Sequence, residues 1–296
     1  MRGLRVILGA LAALALAGCG LGGARDRTEP EPSADPAVRV VTEKDFDHRK
    51  FANPLQIDNR WFPLRPGTEL TFQGSAIEEG HSIRREVRFA VSDLIKVIDG
   101  VPAVVIWERD YNQGDLVESE LAFFAQDDDG NVWALGQYPE EYEEGKLAAA
   151  PAWIAGQRGA RPGLAMLADP APGPTYSQGY GPEVGYADRA RVFKLGQETC
   201  VASGCYKDVM VTDEFALDDP EARQLKYYAP DVGNVRVGWM GRDEEKEVLS
   251  LVRLVQLDGE AMAEMHRQVL TLDRHAYQVS QAYAPTPPVE QPLPPR

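Results

Sequence analysis

Phe123-Phe124-Ala125 is answered 104 residues later by Tyr227-Tyr228-Ala229. The same offset carries Leu121 onto Leu225, Val105 onto Val209, Tyr111 onto Phe215 and Phe89 onto Phe193. With small insertions, Pro66-Gly67 meets Pro172-Gly173, and Gly130 and Val132 meet Gly233 and Val235. Most matches are chemical rather than identical. Their common offset is what constrains the fold, since a fixed period marks two copies of one supersecondary unit. The alternative is two meanders of similar strand spacing with no shared origin.

Each copy reads as an antiparallel meander. Arg85, Val87, Phe89 and Val91 alternate with charged residues, the period of a half-buried strand. Ile95-Lys96-Val97-Ile98 runs into Asp99-Gly100, a hairpin dipeptide. Further strands are predicted at Glu69 to Gly74, Ala103 to Asp110, Leu116 to Gln126 and Val132 to Leu135. The second copy supplies strands near Tyr176, Arg191 to Leu195, Tyr206 to Phe215, Arg223 to Pro230, Asn234 to Met240 and Val248 to Leu257. The class is mainly β, a barrel-like or sandwich body of roughly ten to twelve short strands.

The predicted organisation is a signal peptide at 1–18, a flexible tether at 19–37 and a first meander at 38–137. An ordered connecting loop at 138–171 leads to the second meander at 172–257. A helix at 258–283 and a proline-rich, disordered tail at 284–296 complete the chain. The helix is read from Asp258 as N-cap. Its apolar stripe is Met262, Met265, Val269, Leu272, Ala276, Val279 and Tyr283. Glu260, Glu264, Arg267, Asp273 and Arg274 form its polar face. The stripe is expected to pack on the protein's own sheet, the alternatives being a partner-binding helix or a lid over a barrel mouth.

The three cysteines divide in two. The 104-residue offset places Cys200 on Lys96 and Cys205 on Val101, which flank the Asp99-Gly100 turn. The two cysteines should therefore face each other across Val201-Ala202-Ser203-Gly204 and form a disulfide. Its small loop limits the stabilisation to about 1–3 kcal/mol. The third cysteine closes an address. Met1-Arg2-Gly3-Leu4-Arg5 is basic, and Val6 to Leu16 is apolar but too short to span a bilayer. Leu16-Ala17-Gly18-Cys19 resembles the lipobox of bacterial lipoproteins at every position. That resemblance implies lipidation of Cys19, cleavage before it and a membrane anchor on the exported chain.

Composition excludes other classes. Lys and Arg total 31 against 46 Asp and Glu, a net charge of −15, which argues against nucleic-acid binding. The hydrophobic share of 44% is that of a folded chain.

The search for chemistry is mostly negative. His48, His81, His266 and His275 belong to no metal or catalytic motif, and the last two read as solvated helix residues. There is no nucleophile elbow, phosphate loop or dinucleotide fingerprint. Asp127, Asp129 and Asn131 have the alternate spacing of a calcium loop. Tyr138 stands where that loop needs its bidentate Glu, so a hairpin turn is the better reading. Glu140, Glu141, Glu143 and Glu144 read as a solvated acidic loop. No catalytic residue, metal ligand or cofactor is predicted. Tryptophans are chiefly core, the sharper reading being an apolar cavity lined by Trp107, Trp133, Trp153 and Tyr228.

Phe51-Ala52-Asn53-Pro54, the run from Asp58 to Thr68, Trp153 to Gly156, Gly159 to Gly163, Lys226 to Pro230 with Val232-Gly233, and His275 to Ser280 resemble a family of uncharacterised bacterial exported proteins. The resemblance covers most of the body and implies no activity. Val232-Gly233-Asn234-Val235 is less apolar than the family run, and Gln178-Gly179-Tyr180 lacks an expected acidic residue. A lipidated, mainly β body is also similar to envelope lipoproteins with open barrels that carry lipids or lipoproteins. The expected function is that of a non-catalytic envelope lipoprotein binding an apolar ligand or an envelope partner. The alternatives are a hydrolase built from scattered acidic residues and an assembly module using the helix.

Overall fold

The computed structural model of the protein describes residues 41–291. Cys19, its leader and the whole tether lie outside the described residues, as do residues 38–40 and 292–296.

Fourteen strands and one long helix make up the described body. The strands are β1 (Thr68–Glu78), β2 (His81–Ile98), β3 (Val101–Asn112), β4 (Asp115–Gln126), β5 (Val132–Glu143), β6 (Lys146–Ala149) and β7 (Trp153–Ile154). The series continues with β8 (Gly163–Met166), β9 (Tyr176–Ser177), β10 (Asp188–Val201), β11 (Gly204–Ala216), β12 (Ala222–Ala229), β13 (Gly233–Gly241) and β14 (Val248–Gln256). The helix, α1, is Gly259–Val279. The strands form a single antiparallel sheet in the order β6-β5-β4-β3-β2-β1-β14-β13-β12-β11-β10-β9, with β7 and β8 added on β5. Two meanders thus join through the β1–β14 ladder. The 104-residue offset carries the starts of β3 and β4, residues 101 and 115, to 205 and 219, within three residues of the starts of β11 and β12.

Local chemistry sets the turns. Asp99 and Gly100 have φ of 48° and 79°, the left-handed pair that a two-residue hairpin requires. Cys200 and Cys205 face each other in the β10–β11 register and form the disulfide that the offset predicts.

The sheet curls. Leu70, Phe89, Ile106, Phe124, Met166, Val192, Met210, Tyr228, Val237 and Leu251 come from strands along almost the whole order, yet they belong to one buried cluster. Only a sheet rolled about one face brings them together. The ladder does not close, but its ends approach where a Cβ on Gly163 would lie 2.1 Å from the backbone of Gln178 and Gly179. The segment Ile57 to Leu64 fills one end of the roll.

The opposite face of β2–β5 carries α1. Leu94, Ile98, Val105, Leu121, Phe123, Trp133, Leu135 and Tyr138 pack there against Met265, Val269, Leu272 and Ala276. Asp258 caps the helix through a 2.9 Å bond from the Ala261 amide. The helix therefore spends its stripe on its own sheet.

Several details correct the sequence reading. Residues 84–91 and 95–98 are one bulged strand, since β2 runs through both. The connecting loop holds the end of β5 and all of β6, β7 and β8. Val279 is 40% exposed and does not extend the buried stripe. Asp273 belongs to the packed face, where its carboxylate meets Lys96 Nζ at 3.1 Å. The tail is not disordered as far as residue 291. Val289 is buried, Glu290 exchanges backbone hydrogen bonds with Ile95, and Pro287 O accepts from Lys96 Nζ at 2.6 Å.

Candidate functional site: a groove beneath the helix

The β3–β4–β5 register puts Arg109, Ser119 and Glu140 in one row on the helix-facing side. The adjacent row is Trp107, Leu121 and Tyr138. Residues directly opposite in a ladder share a face, with Cβ atoms about 5 Å apart. Over these rows α1 lays Gln268, Thr271, Leu272 and His275. Between helix and sheet lies an open groove of about 270 Å³, also lined by Tyr111, Leu116 and Tyr142.

Glu140 organises its floor. One carboxylate oxygen accepts from Tyr138 Oη at 2.5 Å and from His275 Nδ1 at 2.7 Å, and the other from Tyr142 Oη at 2.5 Å. A carboxylate only accepts, so His275 must carry its proton on Nδ1. In the neutral imidazole this leaves the Nε2 lone pair as an acceptor. Burial and the neighbouring Glu140 push both tyrosine hydroxyls above their ordinary pKa, so they stay protonated donors. Trp107 Nε1 donates to Ser119 Oγ at 3.0 Å, and the Arg109 guanidinium stacks 3.8 Å from the Trp107 ring centroid. Arg109 itself is held by Glu69 at 2.6 Å.

The expectation of a solvated acidic loop holds for Glu143 and Glu144, which are exposed, and fails for Glu140, which is 3% exposed; the His275 side chain is 39% exposed but tied to Glu140. His266 is likewise bonded, to Asp93. The Asp127 turn holds as a turn: its carboxylate accepts from the Asp129 and Asn131 amides and from Trp133 Nε1. Among the described residues no group of three or more His, Cys, Asp or Glu side chains is placed to hold a metal ion.

A second cluster lies on the inner face. Glu108 faces Glu120, and Asp110 faces Glu118, across the β3–β4 ladder, giving a square of four buried carboxyl groups. Arg85 meets Asp110 at 2.6 Å and Glu247 at 2.5 Å, and Lys226 meets Glu214 at 2.8 Å. Neither oxygen of Glu118 or Glu120 has a hydrogen-bond partner among the described residues. Burial and like neighbours raise all four, Asp110 to about 7 and Glu120 to about 8. These groups are at most 2% exposed, so no substrate touches them as they stand.

The four candidate ligand-lining residues separate. Trp107 lines the groove. Trp133 is 1% exposed on the helix side, bonded to Asp127. Trp153 stacks on Tyr186 with centroids 4.7 Å apart and is 2% exposed. Tyr228 lines an inner apolar gap with Phe62, Leu70, Phe72 and Phe89, whose free space is about 30 Å³. That is the scale of a water molecule, not of a lipid chain. Sequence reasoning missed Glu140, His275, Tyr138 and Tyr142. The signal was Tyr138-x-Glu140-x-Tyr142, whose period of two puts all three on one strand face.

No family model matches the chain, and no curated protein sequence matches it. Two solved structures share part of its course. A proposed exported protein with a YmcC-like fold from Bacteroides fragilis aligns with a TM-score of 0.39 at 15% identity, over 67% of this chain and 99% of that one. A proposed lipoprotein from Parabacteroides distasonis aligns with a TM-score of 0.36 at 11% identity, over the same shares.

Proposed function

We propose that the protein is a lipid-anchored bacterial envelope protein that binds an envelope ligand, without catalysis, in the groove beneath α1. The anchor reading rests on Leu16-Ala17-Gly18-Cys19 and the apolar leader before it. Among the described residues no helix is long and apolar enough to cross a membrane. The binding reading rests on one observation: the groove is an open space of about 270 Å³, whereas the apolar gap beside Tyr228 offers about 30 Å³.

A binding role suits the groove better than a reactive one. Glu140 is committed to three donors, and no hydrogen bond joins Ser119 to His275 among the described residues. An activated nucleophile needs such a bond to its base. The inner carboxyl square lacks the exposure that a hydrolase site requires. An assembly role for α1 is disfavoured because Met265, Val269, Leu272 and Ala276 are already buried on the sheet.

Two measurements test this reading. Cys19→Ala must leave the membrane fraction and lose palmitate labelling; retention of either overturns the anchor. Native mass spectrometry of protein isolated from cells must show a bound small molecule that is lost in Thr271→Trp, which fills the groove from an exposed helix position. A ligand unaffected by Thr271→Trp overturns the site.

A further inference from the structure

We infer that the ligand of the groove is a neutral saccharide chain; this rests on the groove being the binding site. The first argument is charge. Arg109 is paired with Glu69, so the groove offers an anion no free cation, and both oxygens of the Glu140 carboxylate are already taken by His275 and the two tyrosine hydroxyls. A phosphate-bearing headgroup would meet no unpaired counter-ion there, and a cationic peptide would reach only a carboxylate that is 3% exposed and fully hydrogen-bonded.

The second argument is hydrogen-bond type. Ser119 Oγ accepts from Trp107 and keeps its own proton to donate. Tyr142 Oη donates to Glu140 and keeps lone pairs to accept. Gln268 donates to Glu264 at 2.7 Å and keeps its carbonyl oxygen. The groove thus presents closely spaced groups, some donating and some accepting, and a sugar hydroxyl does both.

The third argument is the apolar part. Trp107, Tyr111 and Leu272 line the groove together with these polar groups. A pyranose ring has C–H faces bordered by hydroxyl edges and meets both kinds of surface. An acyl chain would bury the polar groups without partners, at about 1–3 kcal/mol each. The volume falls just below the range of about 300–1,000 Å³ usual for ligand pockets, so a short stretch of chain is held rather than a long one.

The test is calorimetric titration of the full chain with chitotriose, with maltotriose and with a neutral tripeptide. The expected result is saturable binding of at least one trisaccharide, weakened about tenfold in Gln268→Ala and abolished in Thr271→Trp. Both positions are exposed on α1, and unchanged circular dichroism checks their folding. Absence of heat with both trisaccharides overturns the inference. Tripeptide binding lost in Thr271→Trp, with no trisaccharide binding, overturns the saccharide and leaves the groove standing. If no probe binds and native mass spectrometry finds no ligand, both fall.

Discussion

His275 Nδ1 lies 2.7 Å from Glu140 Oε1, although 135 residues separate them in the chain. The contact ties the helix to the far end of β5 and fixes the wall and floor of the groove together. It also holds a carboxylate that is almost fully buried, with two tyrosine hydroxyls as its other donors.

Glu140→Gln therefore removes the charge that these donors share. Charge-assisted bonds are roughly twice as strong as neutral ones. The expected cost is about 1–3 kcal/mol in urea unfolding. Glu143→Gln, at an exposed strand end, should change stability by less than about 0.5 kcal/mol. Equal effects would contradict this role for Glu140.

Lys96 is buried against Asp273, with its Nζ also donating to Tyr277 Oη at 3.0 Å and to Pro287 O. Burial holds it down at about 8, against the pull of Asp273. Lys96→Met strands a buried carboxylate and should cost about 3–5 kcal/mol. Exchange of the Glu290 amide, which donates to Ile95 O, should speed up in the same variant. Adding Asp273→Leu should recover part of the loss.

The inner carboxyl square makes stability depend on pH in an unusual direction. Its groups are raised above their unfolded values, Glu120 from 4.5 to about 8. Between those values the native state holds more protons than the unfolded chain. Stability is then full below about pH 4.5 and falls as pH rises through about 8. Glu120→Gln should flatten this fall and exceed the wild type at pH 8 by on the order of 2 kcal/mol. Unfolding curves at pH 5 and pH 8 check both statements.

The Cys200–Cys205 disulfide closes a small, exposed loop. The paired change Cys200→Ser with Cys205→Ser should cost about 1–3 kcal/mol without altering the fold. A larger loss, or a change in far-ultraviolet circular dichroism, would mean that the hairpin depends on the bond.

What was legible in the sequence was local or periodic. Asp99-Gly100 announces its hairpin because the two-residue turn needs left-handed residues. The alternation around Phe89 and the stripe from Met262 to Ala276 announce a strand and a helix. The common offset placed Cys200 and Cys205 on either side of a hairpin turn, and there they pair. What stayed hidden depends on contacts between distant segments. Asp273 was assigned to the polar face because its partner Lys96 is 177 residues away. Glu140 was assigned to solvent for the same reason, its partner His275 lying 135 residues away. The inner carboxyl groups did leave a trace. Glu108 and Asp110 continue the parity of Val104 and Ile106, and Glu118 and Glu120 that of Ala122 and Phe124. Charged residues on the apolar parity of a strand mark either an open barrel end or a buried polar cluster, and burial decides between them.

The groove claim can be tested with the five tryptophans of the chain. The protein is labelled with 5-fluorotryptophan, and its resonances are assigned by single Trp→Phe changes. Fluorine spectra are then recorded as solubilised envelope extract is added. Trp107 lines the groove, whereas Trp133 and Trp153 are sealed in the body and Trp61 and Trp239 lie elsewhere. A ligand in the groove should give a saturable shift of the Trp107 resonance alone, abolished by Thr271→Trp. An unmoved Trp107, or a shift centred on Trp61 or Trp239, would contradict it.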